Sequence, residues 1–478
     1  MATLSLAEHV RRTLSLGLPL VGAQLAQILV NTTDTVMLGW LSTEALAAGT
    51  LAMQLYFVLF IIGIGFAAAM VPVIAAAIGE EEARKEQSGS SDDLEETTRE
   101  IRRATRMGLW VLVLISALFM VPLWFAGPIL TALGPPPEVI ALAVPYLAIA
   151  QWSLPPALMV IGLRQFLTAL ERAQVILWIT LFTLVVNAVF DYVLIFGKLG
   201  APALGVEGAA WATLGSNTLA LLATIAWIAS RPDLAIYGIF ERFWRADWPA
   251  FRRILRLGWP IGLALLAEAG LFAVSTLMMG RLGTVPLAGH GIALQLASIA
   301  FMIPLGLSQA ATVRVGNAAG RHDGTAVARA AQAAYICGLG LAVSVGLLFL
   351  AVPEPLIGLF LEDDAQAGQV IAVAVPLVIM AGFFQLADSG QVVGISILRG
   401  LQDTTVPMVI ALVGYWGIGV PSAWVLGLEL GFGGPGVWSG LVVGLSLTAL
   451  AFAWRFHRRE RLGLLRDGPL PSGVHAPS

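Results

Sequence analysis

The chain holds one cysteine, Cys337, among 478 residues, and only 12% of it is charged. A lone thiol excludes an intrachain disulfide and a multi-cysteine metal site, and its setting in AYICGLG marks it as a small packed residue. Lysine is nearly missing, with Lys85 and Lys198 alone, while arginine carries the other positive charges. A net charge of −3 leaves no basic surface for nucleic acid. No GxxxxGK[ST] loop, no HExxH pair and no nucleophile, histidine and acid set is present, so nothing points to an enzyme. What is abundant is apolar side chain, 58% of the residues. Runs of about 20 residues free of ionisable groups recur, each long enough to cross a hydrocarbon core as a helix. The chain reads as an all-α polytopic membrane protein.

Twelve spans are expected near 14–38, 47–78, 107–131, 139–163, 173–197, 206–230, 255–280, 289–320, 326–352, 368–398, 405–428 and 434–454. With an even number of spans and both termini cytoplasmic, Lys198 and Arg281 alone of the 27 lysines and arginines fall outside. This bias satisfies the positive-inside rule. The arginine-rich usage suggests a GC-rich bacterial genome, hence a bacterial inner (cell) membrane. The segment around 80–106 is polar and mixed in charge, as expected of a solvated connection. In RPDLAIYGIFERFWRADWPAFRRILR, Trp and Phe interleave with Arg, a pattern that predicts an amphipathic helix at the interface.

The opening MATLSLAEHVRRTLSLGLPL has the look of a signal peptide, but the same segment recurs inside the chain. DTVMLGWLSTEALAAGTLAMQL from Asp34 aligns without a gap on STLMMGRLGTVPLAGHGIALQL from Ser275. At this offset of 241, Gly39 falls on Gly280, Gln54 on Gln295, Pro19 on Pro260, Gly65 on Gly306 and Gly79 on Gly320. The chain is therefore a duplicated six-helix unit: a lobe at 1–230, a cytoplasmic linker at 231–254, a second lobe at 255–454 and a tail at 455–478. Six spans return the chain to its starting side, so the repeats run parallel, an arrangement suited to two bundles rocking about a cleft.

Polar residues inside the spans stand out against this background. Gln24, Gln27, Asn31 and Asp34 follow a spacing of 3, 4 and 3, which puts them along one helical stripe. An Asp near a helix centre costs about 2.5–3.5 kcal/mol to insert, so it faces a bundle interior or a wet cavity and marks an ion or substrate path. Asn187 and Asp191, four apart, share a face of the fifth span. Together with Asp34 they offer oxygen ligands to a hard cation such as Na⁺, or a pair of carboxylates that share a proton. Thr213 is a further candidate oxygen, although a helical Thr commonly bonds its own backbone. The second half places Ser275 where Asp34 stands and carries two acids of its own, Glu268 and Asp388, the latter near Gln385. These form a second candidate site for Na⁺ or H⁺, with Gln27, Asn31 and Gln385 as cleft candidates. His290, at the start of the eighth span, reads as a local hydrogen-bonding residue, with a proton relay as the sharper alternative.

Taken together, GLPLVGAQLAQILVNTTDTVMLG, NAVFDYVLIFG with LGVEGAAWAT, LAEAGLF with PLAGHGIALQ, and QLADSGQVVGISILRGLQDTTVP resemble the multidrug and toxic compound extrusion (MATE) family, in its NorM-like branch. The resemblance implies a monomeric antiporter of two six-helix lobes that exports organic, often cationic compounds against Na⁺ or H⁺, with membrane lipid around it and no cofactor besides the coupling ion. It further implies that Asp34, Asn187 and Asp191 couple the ion in the first lobe, and Glu268 and Asp388 in the second. NorM-like proteins carry a tyrosine one turn before the second acid, where this chain has Phe384. The alternatives are a lipid-linked precursor flippase, disfavoured because basic residues are expected to avoid the spans, and an ion channel.

Overall fold

The computed structural model describes residues 5–88, 92–361 and 367–465. Among the described residues are twelve helices long and apolar enough to cross a membrane, in two six-helix lobes. They are α1 (Leu6–Leu41), α2 (Thr43–Glu86), α3 (Glu95–Trp124), α4 (Pro137–Ala169), α5 (Ala173–Phe196) and α6 (Val206–Ala229) in the first lobe. The second has α7 (Trp248–Leu282), α8 (Thr284–Gly320), α9 (Gly324–Ala351), α10 (Gly368–Gly400), α11 (Thr405–Glu429) and α12 (Gly433–His457). Local chemistry sets several boundaries. Ser5 and Glu8 close a capping box at the start of α1, Ser42 caps α2 by accepting from the Ala45 N–H at 3.0 Å, and Asp323 caps α9 through the Ala326 N–H at 2.8 Å. Gly134 and Gly197 end helical segments at φ of 80° and 66°, values a side chain rarely adopts.

Two expectations about the connections need correction. The 80–106 region is no open loop: helix continues to Ser88 and resumes at Asp92, because the acids and arginines there are spaced to pair along and between helices. Lys85 pairs with Glu81 one turn back, and Arg84 reaches Glu96 across the two helices at 2.7 Å. The 231–256 segment likewise forms no long amphipathic helix. It makes one short turn of helix, Pro232–Ala235, then a chain of turns, after which its Trp- and Arg-rich end becomes the start of α7. The polar residues of α3 hold those turns in place: Arg102 donates to the Tyr237 carbonyl at 2.6 Å, and Trp110 to the Phe243 carbonyl at 2.9 Å.

Asp247 joins the two regions, since it pairs with Arg103 and caps α7 through the Ala250 N–H at 3.1 Å. Burial pushes its carboxyl up, but the Arg103 hydrogen bond, the cap and the charges of Arg103 and Arg106 outweigh this and hold it below its ordinary value. A carboxylate so depressed contributes stability above the ordinary carboxylate range and loses it as pH falls through the lowered value. Asp247→Ala is expected to cost about 1 kcal/mol. Thermal melts in detergent should show the deficit at neutral pH and little of it in acid; an equal deficit at both would remove the charge from the explanation.

The lobes share a core on one side only. Because twelve crossings return the chain to its starting face, both ends of the described chain lie on one face, the terminal face. There a single apolar cluster runs across both lobes, from Leu16 and Phe66 to Ile261, Ala310 and Val313, with Cys337 packed beside Val21 and Leu307 in a neighbouring group. Toward the opposite face the clusters separate, one around Leu38, Ala48 and Leu147 in the first lobe and one around Leu271, Phe384 and Trp438 in the second. The two bundles are joined at the terminal face and independent beyond it.

Glycine makes this seam close. A Cβ on Gly65 would lie 2.2 Å from Gly262 Cα, one on Gly79 would lie 2.0 Å from the Asn317 oxygen, and one on Gly320 would lie 2.1 Å from the Ala76 oxygen. The contacts are paired by the internal repeat. Gly17 packs on Leu307 as Gly258 packs on Phe66, and Gly65 meets Gly262 as Gly306 meets Val21. Polar links surround the seam: Arg314 donates to His9 Nδ1 at 2.8 Å, and Arg321 reaches Glu82 at 3.1 Å and Glu86 at 2.9 Å.

Candidate functional site

In the first lobe, α1 and α5 pack side by side and bring their polar residues together. Asp34, Asn187 and Asp191 are 5%, 1% and 0% exposed, and the Asp34 carboxylate faces both of the others. Their polar atoms are short of partners. Asp34 Oδ1, both amide atoms of Asn187 and both carboxylate oxygens of Asp191 are buried with no protein hydrogen bond. Buried polar atoms of that kind are costly unless something else satisfies them. Carboxylate and amide oxygens are hard donors, so the set fits a proton or a hard cation such as Na⁺. Thr213 donates to the Ala209 carbonyl at 3.0 Å, the backbone bond a helical Thr commonly makes.

One member of this group carries no signal in the sequence. Tyr146 of α4 is 3% exposed, and its hydroxyl end faces Asp34, Asp191 and Thr213. It sits in an ordinary apolar stretch, PYLAIA; the only hint is that a tyrosine buried within a span needs a partner for its hydroxyl. The rest of the α1 stripe spreads out. Gln27 accepts from Arg164 at 3.4 Å, and Asn31 is exposed.

In the second lobe the acids also meet, but through a residue that the sequence reading left out. Gln391 of α10, 1% exposed, donates from Nε2 to Glu268 Oε1 at 2.8 Å and to Asp388 Oδ1 at 3.2 Å. Its Oε1 accepts from the Tyr415 hydroxyl at 2.7 Å. Tyr415 belongs to a π-helical stretch of α11, Val413–Gly419, where the wider turn directs Tyr415 to Gln391 while Trp416 bonds the Ala267 carbonyl at 3.1 Å. Close packing of α11 on α12 is made possible by Gly414, whose added Cβ would lie 1.8 Å from Thr448 Oγ1. The positive charge of Arg399 acts on Glu268 from the same cluster. Gln385 is buried at 1% exposure, with its Oε1 lacking a hydrogen-bond partner.

Phe384 contributes packing, with its ring edge-on to Phe272 at 5.8 Å and to Trp438 at 5.4 Å. A hydroxyl enters the cluster from a different helix, that of Tyr415, which bonds Gln391 and not the acids themselves. Ser275, opposite Asp34 in the repeat, spends its hydroxyl on the Phe272 carbonyl at 2.8 Å. The expectation that basic residues avoid the spans is corrected by Arg164, Arg314 and Arg399. α4 and α10 run on past the expected span ends while α8 ends at Gly320 as expected, with Arg314 already inside its span, and all three side chains are partly buried near the ends of their helices.

His290 is fully enclosed and bonded at both ring nitrogens. The Trp438 indole N–H can only donate, so Nδ1 accepts it at 3.2 Å, and Nε2 carries the proton toward Thr276 Oγ1 at 3.1 Å. This favours the hydrogen-bonding reading over a relay. His290→Ala leaves the Trp438 indole N–H without its acceptor beside a void, while Thr276 keeps its bond to the Phe272 carbonyl at 3.0 Å, a loss of about 2–4 kcal/mol. The expected result is a lower melting temperature with transport per folded molecule retained; unchanged melting with transport lost would restore the relay.

Comparison with known proteins adds to this geometry. A family model described as MatE matches residues 19–88, 95–193 and 260–425. The chain is 49% identical to "Probable multidrug resistance protein NorM" of Rhizobium meliloti, covering 95% of this chain and 94% of that one. It is 47% identical to the protein of the same description from Agrobacterium fabrum, covering 94% of each. Among solved structures, the Vibrio cholerae MATE transporter VcmN matches with a TM-score of 0.85 over 97% of this chain and 99% of that one. At 17% identity, that match is one of fold.

Proposed function

This chain belongs to the MatE family, and from that premise we propose that it is a multidrug efflux transporter that exports organic, often cationic small molecules against an inward gradient of Na⁺ or H⁺. It is a multi-pass membrane transporter and not an enzyme. The observation that carries the coupled reading is the pairing of buried acid clusters with lobes that share a core on one face only. Acids insulated from lipid can gain and lose charge, and lobes joined along a single seam can rock about it.

The reading places the protein in a bacterial inner membrane, as a monomer surrounded by lipid, with both termini and the seam toward the cytoplasm. The cleft between the independent halves would then face outward. Asp34, Asn187, Asp191 and Tyr146 in the first lobe, and Glu268 and Asp388 in the second, are the proposed coupling groups. Neutralising a carboxylate weakens its hold on a cationic substrate and changes what its helix can pack against. The equilibrium between lobe arrangements shifts by that difference in affinity and no more.

The test is efflux of a fluorescent organic cation from proteoliposomes with an imposed Na⁺ or H⁺ gradient. Export driven by one gradient names the ion and supports the reading. Export indifferent to both gradients would end the coupled assignment, and a single-channel conductance would replace it with a channel.

A further inference from the structure

The two acid clusters differ in what lies between their carboxylates. In the first lobe the oxygens of Asp34 and Asp191 and the amide of Asn187 leave buried bonding capacity unused. In the second, the Gln391 amide nitrogen already sits between the acids, 2.8 Å from Glu268 and 3.2 Å from Asp388. That is the bridging position a metal ion would take. We infer that Gln391 is a specificity-determining residue that keeps Na⁺ from lodging between Glu268 and Asp388, and that Tyr415 is the positioning residue that holds it there.

The chemistry follows from the two unlike ends of an amide. An NH₂ group has two protons, and ionised carboxylates only accept, so each acid receives one proton and every polar atom of Gln391 is satisfied. A bare cation needs oxygens facing it, and two N–H groups turned toward the acids repel it. Rotating the amide by half a turn would set Oε1 against two ionised carboxylates, which only accept, so the acids themselves hold the NH₂ group toward them. The Tyr415 hydroxyl, donating to Oε1 at 2.7 Å, anchors the far end of the amide in that orientation, and the π-helical turn Val413–Gly419 is what brings that hydroxyl within reach. The ionisable groups facing this point are Glu268 from α7, Asp388 and Arg399 from α10, and Tyr415 from α11.

This inference rests on the acids being ion-handling groups, and its test is kept apart from export. Binding of radiolabelled sodium is measured on the purified full-length protein, without organic substrate, in an Asp34→Asn and Asp191→Asn background that removes the first-lobe cluster. That protein is expected to show no saturable binding. Adding Gln391→Ala creates one saturable site, which Asp388→Asn then abolishes. Tyr415→Phe keeps the ring, releases the amide and creates the same site at lower affinity, and it decides the matter alone if Gln391→Ala does not fold. Saturable binding in the background protein that Asp388→Asn removes would overturn the inference. So would folded Gln391→Ala and Tyr415→Phe proteins that both fail to gain a site. A failure of export in liposomes would leave either binding result standing.

Discussion

Asp34→Asn is expected to reduce gradient-driven efflux by about 100-fold while leaving the protein folded. The amide keeps the size of the side chain and removes its ability to change charge. A coupling energy of about 3 kcal/mol between two sites corresponds to a factor of about 150 in affinity, so loss of the charge cycle should take most of the driven rate with it. Stability should change little or rise, because Asp34 Oδ1 lacks a protein partner and a neutral group in its place is cheaper to bury. The internal repeat supplies the control. Ser275 occupies the matching place in the second lobe and bonds only its own helix backbone, so Ser275→Ala should transport at nearly the native rate. Equal losses from the two substitutions, or a native rate for Asp34→Asn, would remove Asp34 from the coupling.

The second large effect is expected at the seam. Gly320→Val puts a side chain where a Cβ alone would meet the Ala76 carbonyl oxygen at 2.1 Å, and that neighbour is backbone on a packed helix. Overpacking of this kind costs about 1–3 kcal/mol, and here the cost falls only on the arrangement in which the seam is closed. The population should shift toward an open terminal face by a factor of about 5–150. The native thiol reports this directly, since Cys337 is buried at the seam beside Val21 and Leu307. A small maleimide should label it slowly in the native protein and faster, by about the same factor, in Gly320→Val. Gly79→Val, the repeat-related change, should behave alike. Labelling at the native rate in a folded variant would show that the seam does not open in that way.

The number of helices, the duplicated plan and the acids were legible because each depends on a property of single positions or of regular spacing. Runs of apolar residues mark the spans, a constant offset marks the repeat, and a lone carboxylate in such a run is conspicuous. Gln391 and Tyr415 were not legible for the opposite reason. Neither is unusual for its segment, and their meeting depends on a widened turn of α11 set by glycine packing against α12, which no periodicity in the sequence reveals. Tyr146 escaped in the same way. The linker misled because its Trp and Arg pattern is shared by an interfacial helix and by the emergent end of a spanning helix; contacts with α3 decide between them.

The seam also bears on how the two halves have been free to change. Within each lobe the repeats have parted: one keeps Asp34, the other Ser275, and their acids stand at different places. Along the seam they have kept in step, because Gly65 opposes Gly262 while Gly306 opposes Val21, so each half is the other's mould. Gly65 and Gly306 each meet helix backbone directly, whether the facing residue is Gly262 or Val21, so neither position has room for a side chain. Divergence after duplication was thus open to the chemistry in the clefts and closed to the backbone surfaces between the lobes. The first half grafted from a distant relative should therefore fail at its fit to the second before it fails at its own acids.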